Sequence, residues 1–385
     1  MKALVFERKV VRYAAAAVAG RVAPGRGATF GPLALKDVDE PNLPADGWVR
    51  VRPRLAGICG SDLATVDGTS SRYFGPIVSF PFTPGHEVVG ELDDGSRVVV
   101  VPLLTCAVRG IEPGCSGCRS GRPNLCERVA FGHLEPGLQT GFCSDTGGGW
   151  STTMVAHRSQ LRPVPASMSD EQAVMTEPAA CAVHAAAGAG RLDGRDGAVV
   201  IGTGTLGLLT IAALRRLSNL TGPLIVTAKH PHQNRLAGEL GADTVVAPDG
   251  LGRAVRTAVG SLVVSGRLTG GIGVVVDCVA TEASLEQALS VVAPGGTVLV
   301  VGMPARRTLD LTSLGHREVA LRGCYAYTPA DFDRALDLVV DADLGRLVSA
   351  SYSLSRYREA LEHAANAGSR GAVKIVFDLR QEKHR

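Results

Sequence analysis

Three short segments carry side chains that could hold a metal while leaving it open to a further ligand. They are Gly57-Ile58-Cys59-Gly60-Ser61-Asp62, Pro84-Gly85-His86-Glu87 and Thr176-Glu177-Pro178. Each borders an apolar run, at an element end from which a side chain can point into a cleft. A thiolate, an imidazole and a carboxylate make a mixed three-ligand shell. Its fourth position takes water or substrate, the arrangement of a catalytic zinc. Taken singly, each residue has a simpler reading. Cys59 could be a small buried hydrophobe, His86 a hydrogen-bonded core histidine, and Glu177 a carboxylate favoured at a helix start. Their occurrence beside a dinucleotide-binding loop turns the balance toward metal.

A second cluster is denser. Cys106, Cys115, Cys118 and Cys126 lie within 21 residues, spaced by Gly, Pro, Arg and Asn, which predicts a loop. Four thiolates close a tetrahedral shell around Zn2+ and leave no position for chemistry, so this zinc is structural.

Gly202-Thr203-Gly204-Thr205-Leu206-Gly207 follows the apolar run Ala198–Ile201 and opens a helical stretch. In that setting a Gly-x-Gly-x-x-Gly turn lets a pyrophosphate approach the backbone at a helix N-terminus. The next strand, Leu224–Thr227, runs into Ala228-Lys229-His230, with no carboxylate before Glu239. A carboxylate there would bind the ribose hydroxyls of NAD. Lys229 and His230 suit a 2′-phosphate instead, so the expectation leans to NADP over NAD. His230 and His232 could equally be surface residues opening the next helix.

These sites need elements to position them. From about residue 165, Ala/Leu-rich helical patterns alternate with short β-branched runs, the signature of an α/β doubly wound parallel sheet. The earlier part reads as short strands (Trp48–Arg52, Val88–Leu92, Arg97–Val101) punctuated by Gly and Pro, which suggests an irregular barrel. Leu161–Ala166 reads as a linker, residues 12–34 as a surface insertion without clear periodicity, and Val373–Leu379 as a terminal strand. The 385 residues fit two domains, and 45% hydrophobic residues supply their cores. A net charge of +3 without a basic block argues against nucleic acid. No apolar run reaches the roughly 20 residues of a membrane span. The N-terminus lacks a signal core, so a cytoplasmic, reducing setting is expected, in which clustered cysteines are metal ligands before disulfides. An aromatic content of 4% hints at a substrate pocket not built for aromatic alcohols.

In this order, Cys59-Gly-Ser-Asp, Gly85-His86-Glu87, the four-cysteine loop and the glycine turn resemble the zinc-dependent medium-chain dehydrogenase/reductase family. Alcohol, polyol, threonine and glucose dehydrogenases belong to it. The resemblance implies a GroES-like β-rich catalytic domain (1–164, completed by 329–385) and a Rossmann NAD(P)-binding domain (165–328). It implies two zinc ions per chain. Cys59 and His86 resemble the catalytic ligands, Glu87 the glutamate that ligates zinc in some members, and Glu177 the acidic ligand of the polyol-type branch. Ser61 resembles the hydroxyl that takes the substrate proton, and Lys374 a basic residue near the cofactor pyrophosphate. Gly202, Gly204, Thr205, Leu206 and Gly207 resemble the cofactor turn. Two positions depart from the pattern. Ala64 stands where many members end the proton relay in a histidine. Eight residues separate Cys106 from Cys115 where two are usual, and Glu112, at the position the usual spacing would assign, is the rival first ligand.

The activity implied is hydride transfer between an alcohol, of secondary or polyol type, and NAD(P), by a homodimer or homotetramer. Two other readings share the motifs: a carbonyl or enoyl reductase with only a structural zinc, and a non-catalytic dinucleotide-binding protein. The complete set of ligand types speaks against the last.

Overall fold

A ten-residue strand, Trp48–Gly57, organises the first half of the chain. In a computed structural model, which describes residues 1–190, 197–303 and 306–381, its start pairs antiparallel with Met154–His157. Its later part pairs with Val88–Glu91 on one side and Lys374–Asp378 on the other. The sheet continues through Arg97–Val100 to Leu161–Pro163, and through Lys374–Asp378 to Val348–Tyr352. The predicted linker at 161–166 is therefore partly an edge strand. Pro163 hid it, because a proline is tolerated at a sheet edge but weakens a strand signal.

The chain divides into two compact units. One comprises Met1–Glu177, Thr328–Phe332 and Val339–Arg385, and the other Pro178–Tyr327 and Asp333–Leu338. The first boundary falls at Glu177, not at 164. The helix Asp170–Val174 packs against Trp48–Gly57 and Val88–Glu91 of the first unit. That unit's core joins both chain ends, with Leu4, Phe6, Ala56, Phe82, Trp150, Leu361 and Phe377 in one buried cluster.

In the second unit, six parallel strands run in the order Thr244–Val246, Leu224–Thr227, Ala198–Ile201, Ile272–Asp277, Val292–Val300, Ala320–Gly323. The central strands are apolar at successive positions, as a sheet covered on both faces requires. The edge strand Ala320–Gly323 was not anticipated. It is exposed throughout and has no β-branched residue. No helix among the described residues is long and apolar enough to cross a membrane.

The N-terminal insertion is helical, with Val10–Val22 followed by the short helix Gly27–Phe30. Its alanines favour helix strongly yet give no amphipathic stripe, which explains the absent periodicity. Asp67 ties it down. This residue is the C-cap of the helix Gly60–Val66, and its buried carboxylate accepts the backbone N–H groups of Gly25 at 2.8 Å and Gly27 at 2.9 Å. Asp67→Ala strands both donors. The expected loss of stability is about 1–3 kcal/mol per unsatisfied group, read as a lower urea midpoint; an unchanged midpoint would show that the insertion is held by packing alone.

Candidate catalytic metal centre and nucleotide site

Cys59 ends the approach to the helix Gly60–Val66, and His86 and Glu87 precede the strand Val88–Glu91. Those neighbouring elements bring the three side chains together. One ligand atom from each of Cys59, His86 and Glu87 lies within 4.8 Å of the others. His86 and Glu87 are buried, and Cys59 is half-buried.

Asp62 orders two of these ligands at once. One carboxylate oxygen accepts the Cys59 N–H at 3.0 Å, and the other lies 3.5 Å from His86 Nδ1. A carboxylate behind one ring nitrogen leaves the opposite nitrogen for a metal and fixes the ring's orientation. Burial works against a charge on His86, but Asp62 and the Cys59 sulfur outweigh it and raise the imidazole's pKa well above its ordinary value. The site's field thus calls for positive charge.

Lys374 accounts for part of that demand. It is the first residue of the last strand, with only 2% of its side chain exposed. Its ammonium forms an ion pair with Glu87 and donates to the Ile58 carbonyl at 3.1 Å. Burial opposes its charge, yet Glu87, Cys59 and Glu177 together hold its pKa above the usual lysine value. With Asp62 as a further buried carboxylate, potential anions outnumber the one lysine in this group. The donor set of thiolate, imidazole and carboxylate fits zinc. Gly57 makes the arrangement possible. A Cβ there would lie 1.9 Å from the Glu87 carboxylate and 2.9 Å from Lys374 Cε.

Two expected residues have further partners. Lys374, expected near the cofactor pyrophosphate, is buried and paired with Glu87. Glu177, near the start of the helix Thr176–Gly188, is buried and close enough to act on Lys374, but stands outside the compact Cys59–His86–Glu87 group. Ser61 is half-buried in the first turn of the helix that Cys59 introduces. Asp62 was quoted with its motif but given no role. The signal available was its place three residues after a ligand, where it can turn back on that residue's backbone.

The four cysteines form a separate group, again with ligand atoms within 4.8 Å of one another, and Glu112 is not part of it. Cys126 Sγ lies 3.6 Å from Cys106 Sγ and 3.9 Å from Cys115 Sγ. Corners of a tetrahedron with Zn–S bonds of about 2.3 Å are about 3.8 Å apart. The segment contains the short helix Ser116–Arg119 rather than loop alone. The N–H groups of Cys115 and Glu127 point at the sulfurs of Cys106 and Cys115, at 3.3 and 3.4 Å. Burial pushes the Cys115 thiol up, but the N–H groups of Cys118 and Glu127 and the adjoining sulfurs bring it down to about 6.

The long gap after Cys106 is accounted for by Arg109, which is fully buried. Its five N–H bonds go to the carbonyls of Leu104, Phe131, Leu134, Glu135 and Gly137, at 2.8–3.2 Å. A guanidinium has five donors, and here all are satisfied without a carboxylate. Nothing in the sequence marks this arginine, because its partners are main-chain atoms.

In the second unit the glycine turn joins Ala198–Ile201 to the helix Thr205–Leu217. Gly202 has φ +90°, and a Cβ on Gly207 would meet the Gly202 carbonyl oxygen at 1.8 Å. Gly204 is exposed at the helix N-cap, with open space where a Cβ would be. Thr205 and Leu206 are half-buried in the first turn. The Gly202 N–H donates to Thr227 Oγ1 at 3.0 Å, so the end of the second strand is locked to the turn. Lys229 beyond it is exposed, and the rings of His230 and His232 stack at 5.9 Å. This geometry fits a dinucleotide whose phosphates lie over a helix N-terminus.

Known proteins share this architecture. Residues 45–166 match the alcohol dehydrogenase GroES-like domain, and residues 205–341 match the zinc-binding dehydrogenase family. A sorbitol dehydrogenase of Bacillus subtilis is 27% identical over 333 residues, covering 82% of this chain and 86% of its own. An L-idonate 5-dehydrogenase of Vitis vinifera is 28% identical, covering 86% and 88%. Among solved structures, the alcohol dehydrogenase TADH from Thermus sp. ATN1 superposes with a TM-score of 0.73 at 25% identity, covering 99% of this chain and all of that one. With two domain families matched across most of its length, the chain belongs to the zinc-dependent medium-chain dehydrogenase/reductase family, whose members move hydride between alcohol CH–OH groups and a nicotinamide dinucleotide.

Proposed function

We propose that this enzyme interconverts a secondary or polyol-type alcohol and its ketone with NADP, using one catalytic and one structural zinc. The observation that carries the reading is the group of Cys59, His86 and Glu87, whose ligand atoms lie within 4.8 Å of one another, beside the buried Lys374. Bound there, zinc supplies Lewis acidity toward a hydroxyl oxygen, and the nicotinamide accepts or returns hydride. The chain's own residues do the rest. Asp62 aims His86. Lys374 offsets Glu87, so that the carboxylate burden on the site is reduced. Ser61, two residues after Cys59, takes the proton released from the hydroxyl. With Ala64 in place of a histidine, that proton leaves through water, the cofactor ribose or another residue. The enzyme is read as cytosolic and as a homodimer or homotetramer, in line with the family.

Cys59, His86 and Glu177 are assigned as the catalytic ligands, with Glu87 as the exchangeable carboxylate. The support is electrostatic: Glu87 is committed to Lys374 by a direct ion pair, and abandoning a buried pair costs about 3–5 kcal/mol. Cys59→Ala is expected to lower zinc from two to one per chain and abolish turnover while dinucleotide binding persists. Glu177→Gln should do the same. Metal analysis beside activity decides; full activity in the Cys59 variant refutes the metal role, and two retained zincs in the Glu177 variant move the ligand to Glu87.

Cys106→Ser should release the second zinc and lower Tm, whereas Glu112→Gln should change neither. The reverse pattern would assign the first structural ligand to Glu112.

The cofactor assignment rests on the cationic Lys229 with the His230–His232 ring pair, and on the absence of a carboxylate at the end of the strand Leu224–Thr227. Lys229→Ala should reduce kcat/KM for NADP on the order of tenfold, the loss of one exposed charge–phosphate contact, and leave NAD unaffected. A wild-type enzyme that strongly prefers NAD would sink this part of the reading.

A further inference from the structure

The chain has few aromatic residues, yet four phenylalanines stand in contact beside the metal centre. Phe142 lies 5.9 Å from the ring of His86. Phe82 lies 5.4 Å from Phe142, and both Phe80 and Phe6 adjoin Phe82, at 5.3 and 5.2 Å. His86, Phe82 and Phe6 are buried. Phe142 is only half-buried, so the ring next to the metal ligand keeps accessible surface. Leu63, also half-buried, packs on the same cluster, one turn from Cys59.

Phe142 is firmly placed. The Thr140 N–H donates to the Pro102 carbonyl at 2.8 Å, and the Phe142 N–H to that of Gln139 at 3.1 Å. The Ser144 N–H donates to Ser79 Oγ at 2.8 Å. A ring held by its own loop presents a preformed wall and loses little freedom when a ligand meets it.

We propose that Phe142 selects the substrate by its substituent, favouring a secondary alcohol or ketone with an aryl or branched apolar group next to the reacting carbon over an open polyol. The inference rests on the alcohol–ketone reading above and narrows its substrate class. A hydroxyl-bearing substituent pressed on a phenyl face gives up water without gaining a partner. An aryl group there buries apolar area and packs offset or edge-on.

The test uses zinc-loaded enzyme without dinucleotide, in which no turnover occurs. Acetophenone and sorbitol are titrated calorimetrically into the wild type, Phe142→Ala and Phe142→Leu, with zinc content checked in each. Acetophenone is expected to bind at least about tenfold more tightly than sorbitol. The alanine variant should lose most of that difference, and the leucine variant should keep part of it. With dinucleotide added, the ratio of kcat/KM for 1-phenylethanol over sorbitol should follow the same order. Equal or tighter sorbitol binding, or a ratio indifferent to both substitutions, overturns the proposal. If neither alcohol is oxidised but acetophenone binding still depends on Phe142, the oxidoreductase reading fails and the wall stands. If sorbitol is the better substrate, the wall alone fails.

Discussion

The catalytic unit is arranged around one buried ammonium among three potential anions. Lys374 lies on the last strand, Glu87 at the start of a strand near residue 90, Cys59 at a helix entry and Glu177 at the opening of a later helix. Charges this deep persist only when paired or metal-bound, because burial otherwise drives them to neutrality. Pairing residues 287 positions apart also fixes topology. The final strand has to lie against Trp48–Gly57, in the register that sets Val376 opposite Gly57. The sheet's closure by the C-terminus and the charge balance of the metal centre are thus one constraint.

The two thiolate-bearing sites answer opposite demands. The four cysteines come from one short stretch, and their sulfurs are already at near-tetrahedral separations. Local N–H groups and the five carbonyl bonds of Arg109 hold that stretch in shape. Such a site is closed and serves stability. The other centre draws its candidate ligands from segments apart in sequence. It depends on packing through the whole unit, down to the missing side chain at Gly57. A site assembled from several elements is set by packing of the unit as a whole and not by one local stretch.

Legibility followed the range of the interactions. Ala198–Ile201 and Leu224–Thr227 were readable to the residue, because a parallel strand buried on both faces is continuously apolar. The glycine turn was readable because strand, turn and helix are contiguous. Cys59, His86 and Glu87 could be named from motif, but not their closeness. Nor could the pairing of Lys374 with Glu87 be read, because 287 positions separate them in sequence. The Ala-rich insertion gave no amphipathic signal, although Asp67 pins it through two main-chain donors that no side-chain pattern records. Arg109 is invisible for a related cause, since backbone carbonyls carry no sequence identity.

The departure at Ala64 belongs with these observations. The residue that would carry the proton outward is absent, yet the helix bearing Ser61 is held strongly at both ends. Asp62 bonds the Cys59 N–H at its start, and Asp67 gathers the insertion at its close. Thr65 Oγ1 donates to the Ser61 carbonyl at 2.9 Å and lies 3.0 Å from Ser70 Oγ, adding a further tie within the same turn. A helix so anchored keeps Ser61 in a fixed relation to Cys59 without a histidine below it. If Ser61 is the first proton acceptor, as proposed, its positioning is separable from conduction of the proton beyond it. The anchored helix supplies the first whatever group supplies the second.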